Sequence, residues 1–374
     1  GQAIGYSGDD PDSSRPWDRA ALHNLANRNK YGITLNIRTP LGMDLLKKLV
    51  TTSEVLIESF TSGTSTRLGV DYPAMKTLSP NIVMLSMSGW GEEGPYKRYA
   101  SLGSALDGFT GHHLMRGYPG TDPSTTSIIQ HTDAVAAVGA VFAILTALYY
   151  KIRTGKGQWI DMSQVECFLP HLGGAMMEHI LNDRMPDPQG NRHPYMSPYG
   201  CYRCIGEDNW IVINVTSEEE WMNLCSVANH IEWSTDEMYS DPISRNLNQD
   251  SLDDKIQAWT KDHDKFYLME ILQGAGIPAQ PVLDDVDLYN NRHLNDRCFF
   301  QRMRHPVAGE HLYPGPLWRL TELHETEPIP ANTLGQHNDW VYKELLGLST
   351  NEIRSLRDQG VIGEVFPDPD YDAI

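Results

Sequence analysis

The chain has 374 residues, 40% hydrophobic and 21% charged, the composition of a globular protein and not of a disordered one. Its 30 Lys and Arg stand against 49 Asp and Glu, a formal charge of −19. That excess of acid argues against a nucleic-acid partner, whose phosphates call for a net basic surface, and means that an anionic small ligand needs a locally basic pocket. Five cysteines (Cys167, Cys201, Cys204, Cys225 and Cys298), an odd count in a large chain, fit reduced thiols and a cytoplasmic location. The longest apolar run, Ala134–Tyr150, is about one helix, bounded by Asp133 and Lys151. It is shorter than a membrane span, so no membrane partner is expected. No charged-then-apolar leader opens the chain, which begins at Gly1.

In chain order, the first thirty residues are polar and read as an exposed loop. Ile33–Ile37 then reads as a strand, and Pro40–Val50 as a helix with Leu41, Leu45, Leu46 and Leu49 along one side. Glu54–Phe60 and Ile82–Ser88 are short apolar strands with a helical stretch between them. Strands alternating with helices at this spacing predict βαβ crossovers and a mainly parallel sheet. Asp133–Arg153 is apolar almost all round and predicts a buried helix. After a turn at 154–157 come a strand, Gln158–Met162, and a second long helix, Gln164–Asn182.

The loop 183–198, rich in Pro, Gly and Asn, separates this half from a β-hairpin, Gly200–Ile205 with Trp210–Val215. Helices follow to about Gly276, then a mixed stretch with several prolines to about Pro330. Ser349 with Glu352 forms a capping box for a final helix, with Gly360 just past its end. The expected division is a large α/β domain over 1–182, an active-site loop or linker over 183–198, a smaller α+β domain over 199–310 and a return to the large domain over 311–374.

Several motifs fail on context. Gly89, Gly91 and Gly94 match the dinucleotide pattern, but Pro95 and Tyr96 follow instead of a helix, and Glu92 and Glu93 would repel a pyrophosphate. Cys201 and Cys204 form a lone CxxC on a strand, where i and i+3 point to opposite faces. With no second pair and no histidine at ligand spacing, no metal is expected. Gly103–Asp107 (GSALD) does not fit the serine-hydrolase elbow.

Asp133 opens the most apolar helix of the chain. From position it reads first as a helix cap; the sharper reading is a nucleophile that the helix N-terminus keeps ionised beside an oxyanion site, and position alone does not choose.

Five stretches in order make the sequence resemble the class III coenzyme A transferases, the family of formyl-CoA transferase and the carnitine-related CoA transferase. They are Asn27–Asn36 (NRNKYGITLN), Glu58–Phe60 with Arg67–Gly69, Ser88–Gly91 with Gly94–Tyr96, Thr154–Gln158 (TGKGQ) and Gly335–His337. The resemblance implies a Rossmann-like large domain, interlocked dimers, and a covalent aspartate placed as Asp133 is. CoA would move from an acyl-CoA to a free carboxylate through an anhydride and an aspartyl-CoA thioester, with coenzyme A as the only cofactor-like substrate. It also implies a CoA site at Leu35, Ser59, Phe60, Arg67 and Leu68, with Lys97 a weaker candidate. Arg67 would meet a phosphate.

Gly89, Gly91, Tyr99 and the loop residues Gly190, Arg192 and His193 would line the active site. Arg192 and His193 could favour a dicarboxylate such as succinate. The loop reads NRHPYMSPYG, not the glycine run of formyl-CoA transferase, which argues against formyl or oxalate specificity. Two alternatives share the resemblance. One is an α-methylacyl-CoA racemase, whose histidine falls at Tyr99. The other is a non-catalytic CoA-binding subunit of a heteromer, which the family's opening strand, lying before the point where this sequence starts, keeps in play. Partners are thus acyl-CoA, a carboxylic acid and a second subunit, identical or different.

Overall fold

The computed structural model describes residues 15–127, 129–185, 187–322 and 327–365. The expected opening loop falls partly outside these residues. Its described part is helical, with a 3-10 turn at Pro16–Arg19 and α1 at Ala21–Ala26. There follow α2 (Pro40–Thr51), β1 (Val55–Glu58), α3 (Thr64–Leu68), α4 (Tyr72–Leu78) and β2 (Val83–Ser88). Next are α5 (Gly103–Phe109), α6 (His112–Met115), α7 (His131–Thr154), β3 (Trp159–Ser163), α8 (Gln164–Phe168) and α9 (Gly173–Asn182). The hairpin β4 (Tyr199–Arg203) and β5 (Trp210–Asn214) leads into α10 (Glu218–Val227), α11 (Glu232–Thr235), α12 (Pro242–Leu247), α13 (Gln249–Thr260), α14 (Lys265–Gly274) and β6 (Ala279–Pro281). The chain continues through α15 (Asp285–Asn290), α16 (Arg292–Asp296), β7 (Phe300–His305), β8 (Gly309–Pro314) and α17 (Thr350–Asp358).

The chain forms two compact units, 1–87 with 141–161 and 286–374, and 88–140 with 162–285. This division differs from the boundaries expected above. The chain passes between the units several times, whereas the expectation held a single return, over 311–374.

In the first unit, β1 pairs parallel with β2, Val55 opposite Val83, and β3 is the third strand of that sheet. Val50, Val70, Met75, Ile82 and Met84 form one core. Leu45 packs in another with Tyr342, Ile353 and Leu356. The expected strand Ile33–Ile37 is absent. Its backbone groups bond instead to C-terminal residues: Thr34 N–H donates to Asn338 Oδ1, Asn36 N–H to the Val361 carbonyl, and the Tyr342 hydroxyl to the Thr34 carbonyl. Among the described residues the segment pairs with no strand. The antiparallel hairpin of β7 and β8 lies within what was expected as a mixed stretch with several prolines.

In the second unit, β4, β5 and β6 form an antiparallel sheet over a core centred on Trp221, Leu224, Ile211 and Leu268. Arg245, 2% exposed, lies 5.0 Å above the Trp221 ring, donates to the Ser197 and Tyr239 carbonyls and pairs with Glu218. A buried guanidinium needs such a full set of acceptors. Through Ser197 it also fixes the end of the 183–198 loop.

Two helical expectations change. The helix expected over 164–182 breaks into α8, a 3-10 turn and α9, because Pro170 lacks the N–H that would continue it. α7 is present but not buried. Val138, Phe142 (75% exposed), Leu145, Tyr149 and Ile152 (82%) lie three and four residues apart and form an exposed apolar stripe, while Ala136, Ala140 and Ala147 are buried. At 24 residues the helix is also long and apolar enough, by length and composition, to cross a membrane, so the length-based exclusion does not hold.

Candidate active site

The site grows from the start of α7, in the second unit. The first N–H groups of a helix have no intrahelical acceptor, and the residue before the helix normally supplies one. Here that residue is Gln130, held at φ +59°, an uncommon conformation for a side-chain-bearing residue. The cap comes from α5. Asp107, 1% exposed, accepts from the N–H of His131 at 3.2 Å, from the N–H of Thr132 at 3.0 Å and from the Thr132 hydroxyl. Burial alone would raise the Asp107 pKa, but these donors outweigh it and hold the carboxyl below its ordinary value. His112 lies 3.4 Å from His131, Nε2 to Nδ1, and burial, then Arg116 and His131, push its pKa down.

Asp133 is half-buried one residue further along α7 and has no hydrogen-bond or ion-pair partner among the described residues. Its carboxylate rests on Gly103, the first residue of α5. A Cβ on Gly103 would lie 2.1 Å from Asp133 Oδ2 and 2.8 Å from its Cγ, so any side chain there would displace the carboxylate. The Asp133 pKa is raised, first by burial and then by the Asp107 charge. This corrects the expectation that the helix N-terminus lowers it: burial and the neighbouring Asp107 charge prevail. Gly103 and Asp107 thus belong to the site although the stretch fails as a hydrolase elbow. No sequence motif marks a cap donated from 24 residues away.

Gly89, just past β2, accepts at its carbonyl from Val165 N–H and the Ser163 hydroxyl, both at 3.2 Å. Gly91 stands at φ +80°, and the run to Gly94 continues in bends and turns and not in a helix. Trp90 packs edge-on against Phe109 of α5 at 4.6 Å and near Tyr96, whose ring is 5.0 Å from that of Tyr99. Lys97 is half-buried, with no ion pair among the described residues.

The 183–198 loop is tied down. Gly190, at φ +61°, lies against the Tyr118 ring, and Asn191 donates to the Tyr118 hydroxyl at 2.7 Å. Arg192 was expected to receive a substrate carboxylate. In the structure its guanidinium is already paired with Asp250 at 2.6 Å and Asp253 at 2.7 Å, beside a cavity of about 260 Å³. His193 Nδ1 accepts from the N–H groups of Tyr195 and Met196.

The expected CoA residues lie in the first unit. Ser59 donates to the Met87 carbonyl at 2.8 Å, and Phe60 is exposed just after β1. Arg67, on α3, is exposed and reaches only the Thr64 hydroxyl, at 3.3 Å, among the described residues. Leu35 and Leu68 are half-buried against the two cores. Cys201 and Cys204 are free thiols, burial lifting Cys204 to about 11, and no group with metal-binding potential occurs among the described residues.

A family model described as CoA-transferase family III matches residues 7–338. The chain belongs to that family of enzymes. It is similar to the succinyl-CoA–D-citramalate CoA-transferase of Chloroflexus aurantiacus, 28% identical over 90% of this chain and 83% of that one. The succinyl-CoA:glutarate CoA-transferase of Mus musculus is 26% identical over 90% of this chain and 76% of its own length. Among solved structures, a CAIB/BAIF family protein from Brucella suis covers 91% of this chain and 86% of its own at a TM-score of 0.80 and 25% identity.

If the Gly103 contact holds the Asp133 carboxylate in place, Gly103→Ala displaces it. Turnover in that variant should fall about a hundredfold, the usual result of a 1 Å misplacement, with little change in melting temperature. Full activity in Gly103→Ala would show that this contact does not matter.

Proposed function

We propose that the protein moves CoA from an acyl-CoA donor to a free carboxylic acid through covalent intermediates on Asp133. The observation that carries this reading is an unpartnered, half-buried carboxylate held against a glycine at the start of α7. Asp133 attacks the thioester carbonyl, forming a mixed anhydride and releasing CoA thiolate. The thiolate attacks Cγ of Asp133 and the donor acid leaves, giving an aspartyl-CoA thioester. The acceptor carboxylate attacks the same carbon, re-forming an anhydride and the thiolate, which takes the acceptor's acyl carbon and frees Asp133. Each step exchanges one activated acyl bond for another, so no ATP and no metal is called for.

For the CoA phosphates we assign exposed Arg67, with Ser59 and Phe60 of the same unit as further CoA-site residues, which meets the need for local positive charge in a −19 chain. The word succinyl-CoA in the relatives' names supports a dicarboxylic donor. Arg192, neutralised by two aspartates, fits a role in fixing the 183–198 loop better than one in binding that substrate. A cytoplasmic location remains part of this reading.

The exposed stripe of α7 supports assembly with a second subunit, and two relatives are named as alpha and beta subunits. Light scattering should then give at least twice the chain mass, and Phe142→Glu should reduce it. A monomer in solution, or recovery with lipid vesicles, would contradict the assembly.

The chemistry is tested by incubating the protein with succinyl-CoA and other CoA thioesters, adding hydroxylamine and mapping peptides. A hydroxamate at Asp133, and turnover lower by about a thousandfold or more in Asp133→Asn, are expected. CoA binding without any adduct would favour the inert-subunit reading.

A further inference from the structure

Both oxygens of Asp107 are spent on the start of α7, on the two N–H groups and the hydroxyl described above. These are the donors that a carboxylate in the first turn of a helix would otherwise draw on. Asp133 is left with none among the described residues and with Gly103 against its Oδ2. We propose that Asp107 is a positioning residue for acyl transfer: by occupying the helix start with a fixed negative charge, it keeps the Asp133 carboxylate free of hydrogen bonds and turned to Gly103. This proposal rests on the reading of Asp133 as the nucleophile.

The consequence is chemical. A carboxylate clamped by N–H donors is a weak nucleophile, and its anhydride and thioester are more activated than those of an ordinary aliphatic acid. Each exchange onto it would run uphill. A carboxylate left unclamped beside another negative charge is more basic and closer in basicity to the acids it exchanges with; at Asp133 burial raises the pKa first and the Asp107 charge adds to it. Transfer between carboxylates of similar basicity is close to thermoneutral in both directions, which suits an enzyme whose four exchanges must all proceed.

The titratable and charged groups around this corner are Asp107 on α5, His131 on α7 itself, His112 and His113 on α6, and Arg116 just after it. Glu166 and Cys167 lie on α8, which packs against α5. Of these, Asp107 is the one whose charge raises the Asp133 pKa.

Asp107→Asn keeps an oxygen for the Thr132 donors and removes the charge. In protein labelled with ¹³C-carboxyl aspartate, the Asp133 signal, assigned by its loss in Asp133→Asn, should titrate at lower pH in Asp107→Asn than in the parent. With succinyl-CoA and hydroxylamine, kcat for hydroxamate formation should fall about two- to threefold, its acid limb should move to lower pH, and KM should stay unchanged. Asp107→Ser, a short neutral cap, should behave likewise and serves if the Asn variant unfolds. A purely structural cap would leave the Asp133 titration and the acid limb where they are, and that result overturns the proposal. The NMR titration needs no substrate. A parent that forms no adduct while its Asp133 titration still depends on Asp107 therefore refutes the nucleophile reading and not the electrostatic one.

Discussion

Three donors at the first turn of α7 converge on one buried carboxylate, Asp107, and the rest of the site depends on that capping. An apolar helix of 24 residues begins beside Gln130, held at φ > 0, and acceptors for its first N–H groups come from elsewhere in the chain. Asp107 does this from α5, and the same short helix provides Gly103 as the surface on which Asp133 rests. Stability of the helix start and, in the proposed mechanism, freedom of the nucleophile thus come from one interaction. A cap of this kind contributes on the order of 1 kcal/mol. Because hydrogen bonds hold Asp107 below its ordinary pKa, that contribution is present at neutral pH. It is lost as the pH drops through the lowered value.

The charge distribution follows from the same division of labour. A chain at −19 can take a polyanionic cofactor only where a few cations are not already neutralised. Arg192 and Arg245 are consumed by internal carboxylates, one holding the 183–198 loop and the other its far end through Ser197. Arg67 has no such partner among the described residues. The arginines therefore fall into structural and available groups that sequence position alone does not separate.

What the sequence revealed and what it hid have physical reasons. α2, β1, β2, α7, the β4–β5 hairpin and α17 were legible because each carries its own periodicity, caps or turn residues within a short window. The segment Ile33–Ile37 has strand composition, but its hydrogen-bond partners come from residues more than 300 positions away. The apolar character of α7 suggested burial, yet composition does not say whether the covering surface belongs to the same chain. Asp133 was singled out through the order of family-like stretches, not by its own chemistry. Asp107 and Gly103 were missed because their contacts exist only once α5 is placed against the start of α7. The expected direction of the Asp133 pKa shift failed for the same reason.

The central claim is that acyl groups pass through the Asp133 carboxylate, and isotope transfer tests it most directly. In the proposed cycle the acceptor carboxylate contributes the bridging oxygen of the second anhydride, and that oxygen stays on Asp133 when the new acyl-CoA departs. Turnover with an acceptor labelled with ¹⁸O in its carboxylate should therefore leave ¹⁸O in the Asp133-containing peptide and in no other. Product formation with all the label retained in acyl-CoA and free acid would contradict a covalent role for Asp133.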